Sequence, residues 1–442
     1  MDVIGPYLLL PLFVFLCIGV PIAFSLGLSS LLFLLLLNVP DIGLAARPIP
    51  VNLIVNTMFD GVNQFALLAL PMFILSGEIM HRCKIIDDLI LLARSTMGWL
   101  RGGMAHVTIL ACTMFAFISG SALATAAAIG PQMVPAMIKD RYPNDFAGAL
   151  LSASALLGPI IPPSVFMILL GSNLGISIGG LFAAGVLPGF MIAGGLISLV
   201  YFISRARGYG VHHPFEGFGV VGRAIWRAGP ALTAPLFLVV GILGGVFTPT
   251  EAGAITVFYS IGLGALYYRT LKWELLTEAL FQTAKVTASV LFIIACALAF
   301  GRILTYFQIP RLLLQLMLDI STDPVILTLI VVFVLLFLGT FMDELSMMII
   351  LGPLLMPLAI SPTGLGMVPI QFGLFMVVGV LLGLLTPPLG LLLNVAASIS
   401  KSSMERLSIV VLPFLAVEVG VLMLIAFVEP VSMTLPRLLG YG

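Results

Sequence analysis

Side-chain oxygens that suit a hard cation occur at three places in an otherwise apolar chain. Ser121 and Thr125 lie in one long apolar stretch, Thr340 and Asp343 in a second, and Thr386 in a third. Hard cations prefer hydroxyl, carboxylate and carbonyl oxygens. The stretches contain no Lys or Arg, so an anionic ligand would find no fixed basic partner there. A cation held by these oxygens would supply the positive charge.

Doubled prolines interrupt two of the apolar runs. GPIIPPS covers residues 158–164 and LLTPPLG covers 384–390. Proline inside a helix removes a hydrogen bond and clashes with the preceding turn. Non-helical backbone at membrane depth survives only where it is buried in protein or lines a cavity. The motifs therefore predict unwound joints that form a binding site, and the alternative is a pair of simple proline kinks.

Composition places these motifs in a membrane protein. The 442 residues are 61% hydrophobic and 9% charged, with a mean hydropathy of +1.22. Soluble domains contain about 25% charged residues. The net charge is zero, which gives no indication of a nucleic-acid partner. We expect an all-α polytopic protein of the lipid bilayer.

The two halves of the chain match at a nearly constant offset. Gly130–Pro131 recurs as Gly352–Pro353, an offset of 222, and Pro162–Pro163 recurs as Pro387–Pro388, an offset of 225. Further glycine and apolar matches keep the same order. Matches in one order at one offset indicate an internal repeat. The predicted repeats are residues 1–225 and 226–442.

Apolar segments of about 20 residues mark the membrane spans. Each half also contains a longer apolar stretch with a polar or glycine break near its middle, 103–137 and 325–358. We interpret these stretches as re-entrant helical hairpins, and two ordinary spans in each are the alternative. The proline-containing segments 147–173 and 369–399 are predicted discontinuous helices. The remaining predicted spans are 5–19, 22–38, 64–81, 180–202, 230–246, 249–267, 287–305 and 404–428.

Lys and Arg residues support this threading, because cytoplasmic loops carry an excess of both. The threading places 15 of the 19 Lys and Arg residues on one side of the membrane. The other side has four, Arg47, Arg302, Arg311 and Arg437. Both termini then face outward, and the two repeats have inverted topology. The first hairpin enters from the cytoplasm and the second from outside. Inverted repeats with paired broken helices indicate a transport site near the midplane.

Three amphipathic stretches, 83–100, 272–286 and 309–319, combine an apolar face with flanking charges. This pattern is typical of helices that lie in the membrane interface. Short helices packed on other loops are the alternative for each stretch.

Two acidic residues need separate interpretations. Asp343 corresponds to Ser121 at the offset of 222, so each hairpin tip carries a polar group at the same position. Membrane helices avoid charge in general, which explains the missing Lys and Arg but not Asp343. We expect Asp343 to face the ligand or an ion. Glu251 instead completes a capping-box pattern with Thr248, which favours helix capping over ion binding.

No residues have the spacing of a catalytic centre. Ser121 and His106 lack a nucleophile motif with a partnering base, so an intramembrane protease is not favoured. His212 and His213 have no further His or Cys at ligand spacing. We expect no enzymatic activity and no organic cofactor.

Five stretches resemble, in order, the large membrane subunit of tripartite ATP-independent periplasmic (TRAP) transporters. They are SGSALATAAAIGPQMVP (119–135), LLGPIIPPSVFMILLG (156–171), GGVFTPTEAGA (244–254), GTFMDELSMMIILGPLLMP (339–357) and GLLTPPLGLLLNV (383–395). The similarity runs along essentially the whole chain. It implies an elevator-type, sodium-driven importer of a small organic acid in the bacterial inner membrane. Dicarboxylates, sugar acids such as sialic acid, sulfonates and compatible solutes are all open as substrates.

The resemblance also implies partners and site residues. The partners are a small membrane subunit and a periplasmic substrate-binding protein, neither of them fused to this chain. The hairpins and broken helices should move as one body against a scaffold of the remaining helices, and 39–62 and 359–368 should meet the binding protein. One sodium site would use Gly120, Ser121 and Thr125 with the joint from Gly158 to Pro162. The other would use Gly339, Thr340, Asp343, Thr386 and Pro387, and substrate would lie near Ser121, Asp343 and Asn394.

Two other functions stay open from the sequence. One is a sodium–carboxylate symporter of the same superfamily that works without partners, and the other is a passive channel. A channel needs a continuous polar pathway, whereas the polar groups here cluster at two tips and two joints. A requirement for the binding protein in uptake would separate the tripartite transporter from the symporter.

Overall fold

A computed structural model describes residues 5–38, 50–83, 85–387 and 390–441. Within these ranges every regular element is a helix. A helix satisfies its own backbone hydrogen bonds, so an apolar chain in lipid can cross the membrane in this form. The predicted all-α class is confirmed. Arg47 and residues 39–49 of the predicted docking segment 39–62 lie outside the described residues.

The first half of the chain forms eleven described α-helices. A short π-helix, Gly5–Leu9, precedes them, and a 3₁₀ turn, Phe65–Leu68, leads into the fourth. In chain order they are α1 Leu10–Cys17, α2 Ile22–Leu37, α3 Val51–Val62, α4 Ala69–Arg82, α5 Ile85–Met97, α6 Gly103–Ser119, α7 Ala122–Lys139, α8 Asn144–Ala155, α9 Leu157–Ile160, α10 Val165–Leu174 and α11 Ile178–Arg207.

The second half also forms eleven described α-helices. A π-helix, Leu263–Tyr267, extends the second of them, and a 3₁₀ turn, Gly383–Leu385, extends the seventh. In chain order they are α12 Phe218–Leu243, α13 Pro249–Gly262, α14 Trp273–Tyr306, α15 Ile309–Ile320, α16 Pro324–Gly339, α17 Glu344–Ile360, α18 Pro369–Leu382, α19 Leu391–Ser400, α20 Met404–Val410, α21 Leu412–Phe427 and α22 Glu429–Leu438.

Several of these helices have the length and composition of membrane spans. Among the described residues, three continuous helices qualify: Phe65–Arg82, Ile178–Arg207 and Trp273–Tyr306. Three further pairs bent by more than 40° raise the number to as many as six if each pair is one span. Most of the other apolar helices are 10–17 residues long. Broken and shortened spans are therefore a main feature of this fold.

Both segments predicted as hairpins, 103–137 and 325–358, form pairs of short helices. α6 and α7 have 17 and 18 residues, and α16 and α17 have 16 and 17, fewer than the roughly 20 that a crossing needs. Gly120 breaks the first pair with φ +58°, a left-handed conformation that glycine adopts readily. A Cβ at Gly102 would lie 3.2 Å from Tyr142 Oη. In the first pair the chain therefore returns beside its starting point.

Both proline-containing segments are broken, as predicted. α8 and α9 run up to Ile160, residues 161–164 are unwound, and α10 continues at an angle of 46°. Ser164 caps α10, because its Oγ accepts a hydrogen bond from the Met167 amide at 3.3 Å and donates one to the Pro159 carbonyl at 2.5 Å. In the second segment, α18 ends in the 3₁₀ turn and α19 resumes at Leu391. Pro388 lies outside the described residues.

α14 corrects one prediction. The sequence pattern predicted an interfacial helix over 272–286 and a separate span over 287–305, whereas Trp273–Tyr306 is a single helix of 34 residues. No Pro or Gly occurs in it before Gly301, so nothing interrupts the helical hydrogen bonds. At about 1.5 Å per residue it is about 51 Å long, more than the roughly 30 Å hydrocarbon core. The other two amphipathic stretches form α5 and α15, close to their predicted bounds.

Glycines at corresponding positions of the two halves make reciprocal contacts. A Cβ at Gly130 would lie 2.8 Å from Ile399 Cδ1, and a Cβ at Gly352 would lie 3.6 Å from Leu174 Cδ1. Each contact joins one half of the chain to the other. Exchanging each residue for its counterpart in the other half turns the first contact into the second. The same exchange relates Gly148–Leu407 to Gly373–Leu181, and Gly27–Cys296 to Gly253–Met72.

Candidate functional site

The tip of the first hairpin lies directly on the first unwound joint. A Cβ at Gly158 would lie 2.7 Å from the Ser121 carbonyl oxygen and 2.8 Å from Thr125 Oγ1. A Cβ at Gly120 would lie 2.8 Å from the Pro163 carbonyl oxygen. These approaches are too close for any side chain, so both glycines are needed. The structure thus brings four predicted residues together, with Pro162 in the adjoining unwound stretch.

Hydroxyl and carbonyl oxygens converge at this first tip. Thr125 Oγ1 donates to the Ser121 carbonyl at 2.8 Å. Its single hydrogen is then used, so Ser119 Oγ donates to Thr125 Oγ1 at 2.8 Å. The Thr125 side chain is fully buried. Ser119 was not among the predicted residues, and its position two residues before Ser121 was the available signal.

The second hairpin tip meets the second joint in the same way. A Cβ at Gly383 would lie 2.6 Å from Gly339 Cα, and a Cβ at Gly339 would lie 2.7 Å from Gly383 Cα. Thr340 Oγ1 donates to the Phe337 carbonyl at 2.7 Å, and Thr386 Oγ1 donates to the Leu382 carbonyl at 2.9 Å. Both hydroxyl oxygens keep lone pairs free for a ligand. Pro387 follows in the joint and is half-buried.

Asp343 has a divided role at the second tip. Its Oδ2 caps α17 by accepting a hydrogen bond from the Ser346 amide at 2.9 Å. Its Oδ1 is buried and has no hydrogen-bond partner among the described residues. Ser121 caps α7 in the same manner, through a hydrogen bond from the Ala124 amide at 3.4 Å. The two tips are therefore equivalent in capping, but within the described structure only the second offers a carboxylate oxygen without a hydrogen-bond partner.

Two further oxygens at the second tip were missed from the sequence. Glu344 Oε2 and Ser346 Oγ are also buried without a hydrogen-bond partner in the described structure. Buried polar atoms without partners are uncommon and costly. Together with Asp343 Oδ1 they leave three acceptors unsatisfied within one helical turn. The signal in the sequence was their position in the first turn of a helix capped by Asp343.

Asn394 was also predicted to lie near the substrate. Asn394 is exposed in the first turn of α19, where its backbone N–H donates a hydrogen bond to the Gly390 carbonyl at 3.1 Å. α19 packs against α7 and α8, and Asn144 Nδ2 donates to the Ser400 carbonyl at 3.1 Å. Asn394 therefore lies on an open face beside the first hairpin.

Glu251 caps α13, as predicted. Thr248 Oγ1 accepts a hydrogen bond from the Glu251 amide at 3.3 Å, and Glu251 Oε2 accepts one from the Thr248 amide at 2.8 Å. This reciprocal pair is a complete capping box. The carboxylate is thereby committed to the helix end.

These helices form the fold of a polytopic membrane protein with bent helix pairs. The fold is similar to that of the Alcanivorax borkumensis YdaH transporter, with a TM-score of 0.65 over 97% of this chain and 100% of that chain. The two sequences are 15% identical, so this likeness concerns the fold alone. Bent and re-entrant helix pairs agree with that architecture.

The chain belongs to the family described as tripartite ATP-independent periplasmic transporter, DctM component, whose model matches residues 9–431. It is the large permease component of a TRAP transporter and not an enzyme. It is 36% identical to the sialic acid TRAP transporter large permease SiaM of Vibrio cholerae serotype O1, over 96% of each chain. It is 34% identical to the C4-dicarboxylate permease DctM of the same organism, over 96% of this chain and 95% of that one.

Proposed function

We propose that this permease imports a small organic acid across the bacterial inner membrane by sodium-coupled secondary active transport. The observation that carries the proposal is Asp343 Oδ1, a buried carboxylate oxygen that has no hydrogen-bond partner among the described residues, at a tip without a basic residue. A cation satisfies this oxygen and also supplies positive charge for an anionic substrate. The two relatives named above transport carboxylates according to their names, which supports an organic acid as substrate.

Each tip and its joint would hold one sodium ion. Backbone carbonyls and hydroxyl oxygens are the ligands that hard cations prefer. At the first tip these are the Ser121 carbonyl, Thr125 Oγ1 and carbonyls of the joint. At the second tip they are Thr340 Oγ1, Asp343 Oδ1 and Thr386 Oγ1. Substrate would bind between the tips, near Ser121 and Asp343, with Asn394 at the open side.

The sodium count determines how the membrane potential contributes. Each elementary charge moved inward through 100 mV is worth about 2.3 kcal/mol. Two sodium ions with a monoanion carry one net positive charge inward, so the potential assists uptake. With a dianion the same cycle is neutral, and only the sodium gradient drives it.

We propose that the chain consists of two inverted repeats, residues 1–225 and 226–442, and that each repeat supplies one tip and one joint of the site. The exchanged glycine contacts support this division, because a two-fold relation between the halves requires such pairs. Gly130 meets Ile399, and Gly352 meets Leu174, at offsets of 222 and 225. Under the inverted topology both termini face the periplasm.

Transport would occur by an elevator movement of one body against a scaffold. The hairpins and broken helices form the moving body, and we add α11 and α21 because both pack against the broken helices. The scaffold therefore contains fewer helices than the sequence predicted for it. It includes α2, α4, α13 and α14, which pack against one another. The Ser76–Ser260 hydrogen bond, 2.8 Å long, joins α4 to α13 within it.

Exposure differs between corresponding positions and supports an inward-facing state. Asn394 and Leu391 of α19 are exposed, whereas their counterparts at the offset of 225, Leu169 and Phe166 of α10, are buried. Under the predicted topology α19 lies on the cytoplasmic side and α10 on the periplasmic side. On the covered side Ser172 of α10 donates a hydrogen bond to Gln64 Oε1, next to the scaffold helix α4. The substrate path would therefore be closed outside and open inside.

The partners would be a small membrane subunit and a periplasmic binding protein, as the family description implies. The binding protein would dock on the outer surface, at 39–62 and 359–368. The second of these segments leads from the end of α17 to α18, and the Leu365 backbone amide in it donates a hydrogen bond back to the Leu358 carbonyl of α17 at 3.0 Å.

Uptake into proteoliposomes tests this proposal. The vesicles hold this chain and its small subunit, and candidate organic acids are added with or without the binding protein and an inward sodium gradient. The proposal predicts uptake that requires both. Sodium-dependent uptake without the binding protein would instead identify a partner-independent symporter. Flux that ignores the gradient would identify a channel.

A further inference from the structure

Glu418 is an acid buried in the membrane region, apart from the two tips. It lies near the middle of α21, and its exposed fraction is 0%. Neither carboxyl oxygen has a hydrogen-bond partner among the described residues. It forms no ion pair there, because the five described pairs involve other acids. A carboxyl group in this position needs an occupant that satisfies it.

The helices packed against α21 bring no charge to this depth. They are α8, α11, α18, α20 and α22, and α18 contains no titratable residue. Glu418 is 12 residues beyond Arg406 and 11 residues before Glu429, or about 16–18 Å along a helix. The titratable residues of the packed helices lie towards the helix ends and are Asp145, Tyr201, Arg205, Arg207, Glu405, Arg406, Glu429 and Arg437.

A metal ion is a poor occupant for this position. Hard cations take about six or more oxygen ligands, and no cluster of three His, Cys, Asp or Glu side chains exists among the described residues. The one polar side chain of α18, Gln371, is committed elsewhere, because its Nε2 donates to the Ile425 and Ala426 carbonyls at 2.9 and 3.2 Å. A proton needs no ligand shell and removes the charge. Buried carboxyl groups without partners neutralise themselves in this way.

We propose that Glu418 is a proton-binding site of the moving body, protonated in both orientations of the transporter. The proton then travels as a passenger and adds no charge to the transport cycle. This inference rests on the proposed elevator movement. Of the five helices packed against α21, α8, α11 and α18 are assigned to the moving body with it. The other two, α20 and α22, directly precede and follow α21 in the chain, so we place them in the same body, and a rigid-body movement does not uncover the carboxyl group.

Infrared spectroscopy of the purified permease with its small subunit tests the inference. Wild type and Glu418→Gln are compared from mildly acidic to mildly alkaline pH. We expect the substitution to remove a carboxylic-acid C=O band at every pH and to leave uptake and its sodium dependence unchanged. The control is Glu429→Gln, which replaces a half-exposed acid paired with Arg437. It should remove a carboxylate band instead.

Two results would overturn the inference. Loss of a carboxylate band in Glu418→Gln would show that Glu418 is ionised. A changed sodium or pH dependence of uptake in that variant would show that Glu418 exchanges an ion during transport. If Glu418→Gln fails to fold, Glu418→Asp serves instead, and the acid band must shift rather than disappear. Uptake by wild type is measured as well. If that uptake requires sodium and the binding protein, the proposed function stands even when the infrared result rejects the inference about Glu418.

Discussion

Gly158→Ala adds one methyl group where the first tip meets its joint. On the present backbone the new Cβ would lie 2.7 Å from the Ser121 carbonyl oxygen and 2.9 Å from its carbonyl carbon. Carbon atoms normally pack at about 3.5–4.0 Å, so tip and joint must separate by about 0.6 Å or more. Overpacking of this kind costs about 1–3 kcal/mol. The displaced carbonyl is a ligand of the proposed first sodium site.

The assay is the sodium concentration that gives half-maximal uptake in proteoliposomes. If the steric cost falls on the sodium-bound geometry, that concentration should rise about 5- to 150-fold, since 1.4 kcal/mol corresponds to a factor of ten. The matched control is Gly194→Ala in α11, where a Cβ meets nothing within 4 Å. There alanine favours the helix by about 0.8–1.0 kcal/mol, and uptake should be unchanged. Unaltered sodium dependence in Gly158→Ala would refute the proposed role of this contact.

Three further substitutions probe the second tip, the outer closure and the scaffold. Asp343→Asn keeps an oxygen for the Ser346 amide but loses the carboxylate charge, so thermal stability should hold while sodium-stimulated uptake is lost; retained stimulation would contradict the sodium site. In Gln64→Cys/Ser172→Cys, a short thiol cross-linker should stop uptake, with each single-cysteine variant as a control, and continued uptake would argue against movement at this contact. Thr248→Ala removes a capping box and should lower the free energy of unfolding by about 1 kcal/mol without changing the sodium dependence of uptake. A shifted sodium dependence would contradict the assignment of Thr248 to helix capping alone.

The sequence predicted the broken elements well because glycine and proline mark them directly. Gly120 and the doubled prolines at 162–163 fall where the helices end, and proline cannot continue the hydrogen-bond ladder. The capping box at Thr248 and Glu251 was equally local. Features that depend on backbone conformation within one turn can be predicted from residue types alone.

Other features depend on neighbours that the sequence does not show. The segment 272–286 has the charge pattern of an interfacial helix, yet nothing in it stops the helix from continuing into the next span. The division of Asp343 between a capping oxygen and an oxygen without a partner follows from how the tip packs. Glu418 is one acid in an apolar run, and only its surroundings distinguish a buried carboxyl group from one at a polar surface.

Equilibrium binding of radioactive sodium to the purified permease and its small subunit tests the central claim most directly. The account predicts two sodium ions per permease chain at saturation, one at each tip. Asp343→Asn should then bind one, because the first tip, with Ser121 and Thr125, is unchanged. Equal saturation of wild type and Asp343→Asn, or no sodium bound by wild type, would contradict the assignment of the two tips as sodium sites.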